Sequence, residues 1–81
     1  MMAGKITVSN FSEQSLNVRI YGAVTSGHLV ASGALTTGQT SGFLVSGYHQ
    51  YQVNFSTVNR APLTASNLGP KSIVQVEING G

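Results

Sequence analysis

The sequence predicts one small all-β domain over residues 1–81, an antiparallel β-sandwich or barrel of six to seven strands. Apolar and polar residues alternate in several short runs, which is the period of a half-buried strand. Ten Gly and two Pro interrupt these runs so often that no helix longer than one turn is expected. Hydrophobic residues make up 41% of the chain, enough to build a core.

Four strands are predicted in the first half of the chain. The first begins at Ile6 and Val8 and has an irregular end near Phe11. The second covers 16–21 and shows the clearest alternation of this half. The runs 28–32 and 42–46 supply the third and fourth strands.

Two further strands and one short candidate are predicted in the second half. Residues 50–55 alternate regularly, with Tyr51 on the apolar side, and residues 74–78 alternate in the same way. A short candidate lies at 63–65, between Pro62 and the turn at 68–70. The chain is therefore expected to fold without a helical layer.

The chain is almost uncharged. Only six residues carry a formal charge, Asp is absent, and the net charge is +2. An ordinary soluble surface is about 25–35% charged. The surface of this chain must instead be hydrated through its 28 Ser, Thr, Asn and Gln residues. Hydroxyls and amides suit neutral polyhydroxyl ligands or further copies of the chain.

The residue inventory argues against an enzyme. The only carboxylates are Glu13 and Glu77, both expected on the surface, and glycosidase chemistry needs two that converge. His28 and His49 have no Asp to orient them, and no G-x-S-x-G motif is present. Without Cys, and with so few acids, neither a metal site nor a cofactor is expected.

Nucleic acids and membranes are not expected as partners. The four basic residues are scattered, whereas phosphate binding needs several cations on one face. No apolar run approaches about 18 residues, so no membrane insertion is expected. The start lacks the apolar segment of a signal peptide, which predicts a cytoplasmic protein, with non-classical release as an open route. Two N-glycosylation sequons, at Asn10 and Asn54, are therefore expected to be without consequence.

The densest polar and aromatic stretch predicts a ligand site at a turn. Tyr48, His49 and Gln50 follow Gly47, where side chains can project outward. Planar rings stack on sugars, and amides or guanidinium groups bond sugar hydroxyls. Asn59 and Arg60 are second-rank members, since the following strand separates them from the turn. The alternative is that Tyr51 belongs to the core and the other residues of this cluster are ordinary surface.

A second cluster consists of Arg19, Tyr21 and His28. Arg19 and Tyr21 share one face of the second strand. If the second and third strands form a hairpin, His28 is expected to lie across from Tyr21. This cluster is an alternative binding site or an interface.

Several stretches of the chain also occur together in a known kind of protein: Ile6-Thr7-Val8-Ser9-Asn10, Leu16-Asn17-Val18, Leu35-Thr36-Thr37-Gly38-Gln39-Thr40, Gly47-Tyr48 and Arg60-Ala61-Pro62. The pattern resembles short cysteine-free fungal β-sandwich proteins of lectin-like type, in which a V-x-N-x-T/S strand leads to an L-x-x-G-x-S/T turn and then to G-W/Y. The resemblance covers most of the chain and implies a β-sandwich. This chain lacks the Trp that those proteins favour, so a Trp-based site is not implied.

Two functions of different class follow from the sequence. The first is a non-enzymatic, lectin-like module that binds neutral glycan without metal, as cytosolic fungal defence proteins do. The second is a structural or self-assembling β protein with no small-molecule ligand. Both predict a homo-oligomer, a dimer or tetramer, because a small core without disulfides gains much from association.

Overall fold

The computed structural model describes residues 3–22, 27–57 and 62–77 and confirms the all-β prediction. These residues contain no helix. They form seven strands: β1 (Ala3–Asn10), β2 (Leu16–Gly22), β3 (Leu29–Leu35), β4 (Thr40–Ser46), β5 (Tyr51–Ser56), β6 (Leu63–Leu68) and β7 (Ile73–Val76).

The strands form two sheets that pack as a small sandwich. One has the order β4-β1-β7 and the other the order β3-β2-β5-β6. The four-stranded sheet is antiparallel throughout. In the three-stranded sheet β1 is antiparallel to β4 but parallel to β7. This parallel pair departs from the purely antiparallel prediction. The chain can form a parallel pair here because five strands lie between β1 and β7 in the sequence. This connection is much longer than the crossover that a parallel pair requires.

The strand positions agree with the predicted runs, and the boundaries differ. The short candidate at 63–65 extends to Leu68 as a full strand. Phe11 lies beyond the end of β1 and is 55% exposed, in keeping with the irregular end predicted there. The last strand is described only as far as Val76, and Ile78 lies outside the described residues.

The core is built from the inward side chains of both sheets. Along β2 and β5 every second residue is buried, as their alternation predicts. Tyr51 is fully buried, which confirms its predicted core position. The buried apolar cluster consists of Ile6, Val8, Leu16, Val18, Ile20, Leu35, Phe43, Val45, Tyr51, Val53, Phe55 and Val76.

One polar residue, Asn10, is fully buried at the end of β1. Its Nδ2 donates to the carbonyl oxygens of Gln14 (2.8 Å) and Leu35 (3.1 Å). Its Oδ1 accepts from the backbone N–H of Ser12 at 2.9 Å and from the Ser12 hydroxyl. Both amide hydrogens are therefore engaged inside the protein, so the sequon at Asn10 is not available for glycosylation in the folded chain.

The backbone of Asn10 is bonded as fully as its side chain. Its N–H donates to the Gln39 carbonyl at 2.9 Å, and its carbonyl accepts from the Gly38 N–H at 2.8 Å. Gly38 has a φ of 81°, a left-handed conformation that Gly adopts without strain. One residue thus joins the β1–β2 loop to the turn between β3 and β4.

We expect Asn10→Ala to lower the free energy of unfolding by about 3 kcal/mol, because it leaves the Leu35 carbonyl and the Ser12 N–H buried without their partner. Urea denaturation followed by circular dichroism measures this loss. Asn17→Ala, at an exposed position of β2, is the matched control and should change the stability by less than about 0.5 kcal/mol. Equal effects of the two substitutions would contradict the role assigned to Asn10.

Candidate ligand-binding surface

The outward side of the four-stranded sheet is mainly polar, with two apolar residues at its β3 edge, Leu29 beside Tyr21 and Ala34 beside Asn17. Strand register sets Arg19 beside Ser32 on β3 and beside Asn54 on β5, and Asn54 pairs in turn with Thr64 on β6. Since side chains at alternate positions share one face of a sheet, two further rows flank this one. We call this surface the polar face; it comprises Asn17, Arg19, Tyr21, Ser32, Gln52, Asn54, Ser56 and Thr64.

The polar face carries donors and acceptors but no acid. It combines one guanidinium group, one phenol, three amides and three hydroxyls. Arg19 and Gln52 are exposed, whereas Tyr21 and Asn54 are half-buried. The Thr64 hydroxyl donates to Asn54 Oδ1 at 3.0 Å, which fixes the orientation of that amide. The groups are held on adjacent strands, so a ligand would meet them largely pre-oriented.

An open depression of about 210 Å³ lies in this face between β2 and β3. It is lined by Asn17, Val18, Arg19, Ser32 and Gly33. Gly33 has no side chain, and a Cβ at that position would lie only 2.9 Å from Cε2 of the Phe43 ring. Close packing of the two sheets therefore requires Gly at this position, on the core side of the sheet.

The predicted turn site is only partly exposed. His49 and Gln50 are exposed, but Tyr48 is half-buried and packs against the core. Its ring stands edge-on to the Tyr51 ring, with centroids 5.9 Å apart, and its N–H donates to the Tyr51 hydroxyl at 3.3 Å. Tyr48 therefore lies outside the buried core cluster, as its place in a turn predicts, but its ring packs against that cluster.

A glycine explains the position of the Tyr48 ring. A Cβ added to Gly22 would lie 2.6 Å from three ring atoms of Tyr48, so the ring occupies the space that this glycine leaves open. Gly47, with a φ of 96°, lets the chain turn back toward β2. Sequence reasoning placed Tyr48 at a turn and could not show that Gly22 lay beneath it.

The second predicted cluster is partly brought together. β2 and β3 form the expected antiparallel pair, and the Gly22 N–H donates to the His28 carbonyl at 2.8 Å. Tyr21, however, pairs with Leu29 and not with His28, because an irregularity after Ile20 shifts the register. His28 itself is exposed, one position beyond the end of the polar face.

The two predicted clusters lie at the same end of the four-stranded sheet. Tyr21 pairs with Gln52, and Gly22, the next residue of β2, pairs with Tyr51 and contacts Tyr48. The turn 47–50 therefore lies at the end of the sheet where the polar face carries Tyr21. The alternation within β2 and within β5 predicts which residues share a face, but the sequence does not show how the two strands align with each other.

Asn59 and Arg60, the second-rank candidates, lie outside the described residues. Strand β5, which precedes them in sequence, begins beside the turn 47–50, where Tyr51 pairs with Gly22. It ends at Ser56, which pairs with Asn17. Of the predicted set, Tyr48, His49 and Gln50 therefore share one described turn.

The described residues offer no metal-binding cluster. Among them no three His, Cys, Asp or Glu side chains come together. Glu13 and Glu77 are both exposed, as expected for surface charges. Within the same ranges, no helix is long and apolar enough to cross a membrane.

Comparison with known proteins places the chain in no family: no family model, curated protein or solved structure matches it. The resemblance to short fungal lectin-like proteins accordingly stays a prediction. The chemistry of the polar face and of its adjoining turn carries the functional argument.

We expect Gly22→Ala to destabilise the fold by about 1–3 kcal/mol, because the new methyl group must displace the Tyr48 ring. Urea denaturation gives the stability, and near-ultraviolet circular dichroism reports the tyrosine environment. Gly69→Ala is the matched control, since a Cβ there meets nothing within 4 Å and should cost less than about 0.5 kcal/mol. An unchanged tyrosine signal in Gly22→Ala would show that the ring does not pack there.

Proposed function

We propose that this protein is a non-enzymatic, lectin-like binding module that recognises neutral glycan as a homo-oligomer. The observation that carries the proposal is the polar face, where amides, hydroxyls, a guanidinium and an aromatic ring lie on adjacent strands with no carboxylate among them. The amides and hydroxyls satisfy sugar hydroxyls without introducing a buried charge, and the one charged group, the Arg19 guanidinium, acts as a hydrogen-bond donor.

Each part of the surface has a distinct role in this proposal. The Tyr21 ring stacks against the C–H face of a sugar, and Arg19 and Asn17, which line the depression, donate to its hydroxyls. His49 and Gln50 extend the contact across the adjoining turn. Tyr48 contributes its exposed part and holds the turn against Gly22. An oligomer would multiply weak single-site affinity through simultaneous contacts.

We expect Tyr21→Ala to weaken glycan binding by about thirtyfold, because truncating a central stacking ring commonly costs ~2 kcal/mol or more. A glycan array identifies a ligand, and titration calorimetry then measures the affinity. Gln75→Ala, on the other sheet's exposed strand β7, is the control and should bind normally.

Tyr48→Ala separates the two parts of the surface. If the variant folds and loses binding while Tyr21→Ala retains it, the turn at Tyr48, His49 and Gln50 is the primary site. If no glycan on the array binds the native protein, glycan recognition is refuted.

We expect binding to survive chelation. Calcium sites in proteins are dominated by carboxylates, and this chain has two acids in total. Titration of the glycan before and after treatment with a chelator measures the dependence. Loss of binding that added calcium restores would show a metal-dependent site.

A self-assembling structural protein is the second candidate, and one observation favours it. The outward side of the three-stranded sheet exposes two large apolar side chains, Leu44 (78%) and Ile73 (72%). A contact between chains would cover these two side chains, since the centre of such a contact is apolar. Filaments or higher assemblies that form without any glycan ligand would favour this function over the first.

A further inference from the structure

The strand β4 is the least protected edge among the described strands. β4 and β7 end one sheet, and β3 and β6 end the other. β7 has only four residues. β6 contains Asn67 at a φ of 60° and has a register shift in its pairing with β5. A register shift also interrupts the pairing of β3 with β2. Short or irregular edges resist pairing with another chain. β4, in contrast, pairs with β1 in unbroken register from Ser46 to Thr40.

The free backbone groups of β4 can be identified from its neighbour. The Thr7 N–H donates to the Ser72 carbonyl at 3.0 Å, on the β7 side of β1. Thr7 pairs with Gly42, so Gly42 is not bonded to β1 and directs its N–H and C=O to the open edge. The same alternation directs the backbone groups of Thr40, Leu44 and Ser46 outward. β4 itself contains no charged residue and no Pro.

We infer that β4 pairs antiparallel with β4 of a second copy of this chain, about a two-fold axis at Phe43. The two three-stranded sheets then become one continuous sheet. Gly42 lies opposite the partner's Leu44, and Thr40 lies opposite the partner's Ser46. These are the positions whose backbone groups point outward, so the register forms hydrogen-bonded pairs along the whole strand, with about eight bonds between the chains.

The side chains on this edge are self-complementary. Leu44 is the most exposed of the large apolar residues that the structure describes. In the proposed pair it lies beside Gly42 of the other copy. The aliphatic stem of Lys5 already covers Gly42, since a Cβ there would lie 2.5 Å from Lys5 Cδ. Leu44 of each copy therefore gains apolar cover from the other copy's Lys5 stem.

This contact leaves the polar face of both copies open, because that face belongs to the other sheet. The pairing thus supplies the surface for the homo-oligomer proposed above, and it does not depend on glycan binding. A dimer of this form presents two copies of the polar face and would bind a repeating glycan bivalently.

A charge at the centre of the edge tests the inference. Leu44→Lys places a charge where natural edge strands use Lys to block pairing, and we expect it to weaken the dimer at least about tenfold in sedimentation equilibrium. Ile73→Lys is the matched control: it changes a similarly exposed apolar residue on the same outer side and should leave the dimer intact. A native protein that stays monomeric up to millimolar concentration, or equal effects of the two variants, would overturn the inference.

Cysteine trapping tests the register directly, because the chain has no cysteine of its own. Residues of a hydrogen-bonded antiparallel pair have Cα atoms about 5.5 Å apart, which suits a disulfide. A mixture of Thr40→Cys and Ser46→Cys should therefore form a covalent mixed dimer, and a mixture of Thr40→Cys and Thr64→Cys should not. Equal yields from the two mixtures would refute pairing through β4. Glycan titration of Leu44→Lys separates the proposals, since a monomer with an intact polar face keeps its single-site affinity.

Discussion

The hydrogen bonds of Asn10 are the constraint on which the arrangement of the sandwich depends. The sandwich needs the chain to leave β1 in one sheet and enter β2 in the other, and the first loop makes that crossing. The side chain of Asn10 holds this loop together, and its backbone N–H and C=O bond to Gln39 and Gly38. These last two residues lie in the turn by which the chain returns from β3 to β4. Since a buried amide is costly unless it is fully bonded, the network specifies a single way of closing this end.

The two ends of the sandwich are stabilised by different chemistry. The Asn10 end is held by polar bonds in the interior, and the other end by aromatic packing of Tyr48 on Tyr51 over Gly22. Aromatic pairs of this kind contribute about 0.5–1.5 kcal/mol beyond their burial. The polar face begins at the aromatic end, where Tyr21 directly precedes Gly22 in β2.

The sequence predicted where the strands lie, but it did not show which strands pair with each other. Alternation placed Tyr51, Val53 and Phe55 in the core, because one buried face makes a period of two visible. It could not show that β7 pairs in parallel with β1, since pairing between distant strands leaves no local pattern. The separation of Tyr21 and Tyr48 into two clusters had the same cause. Only the register of β2 with β5 shows that both lie at the same end of one sheet.

The central position of β1 in the three-stranded sheet has a consequence for biosynthesis. β1 is synthesised before both of its neighbours, β4 and β7. Both of its edges are covered only after synthesis has passed Val76, and contacts so distant in sequence slow folding. Until then the nascent domain carries an uncovered apolar strand. A chaperone that holds β1 would act at the stage when the domain is most prone to aggregate.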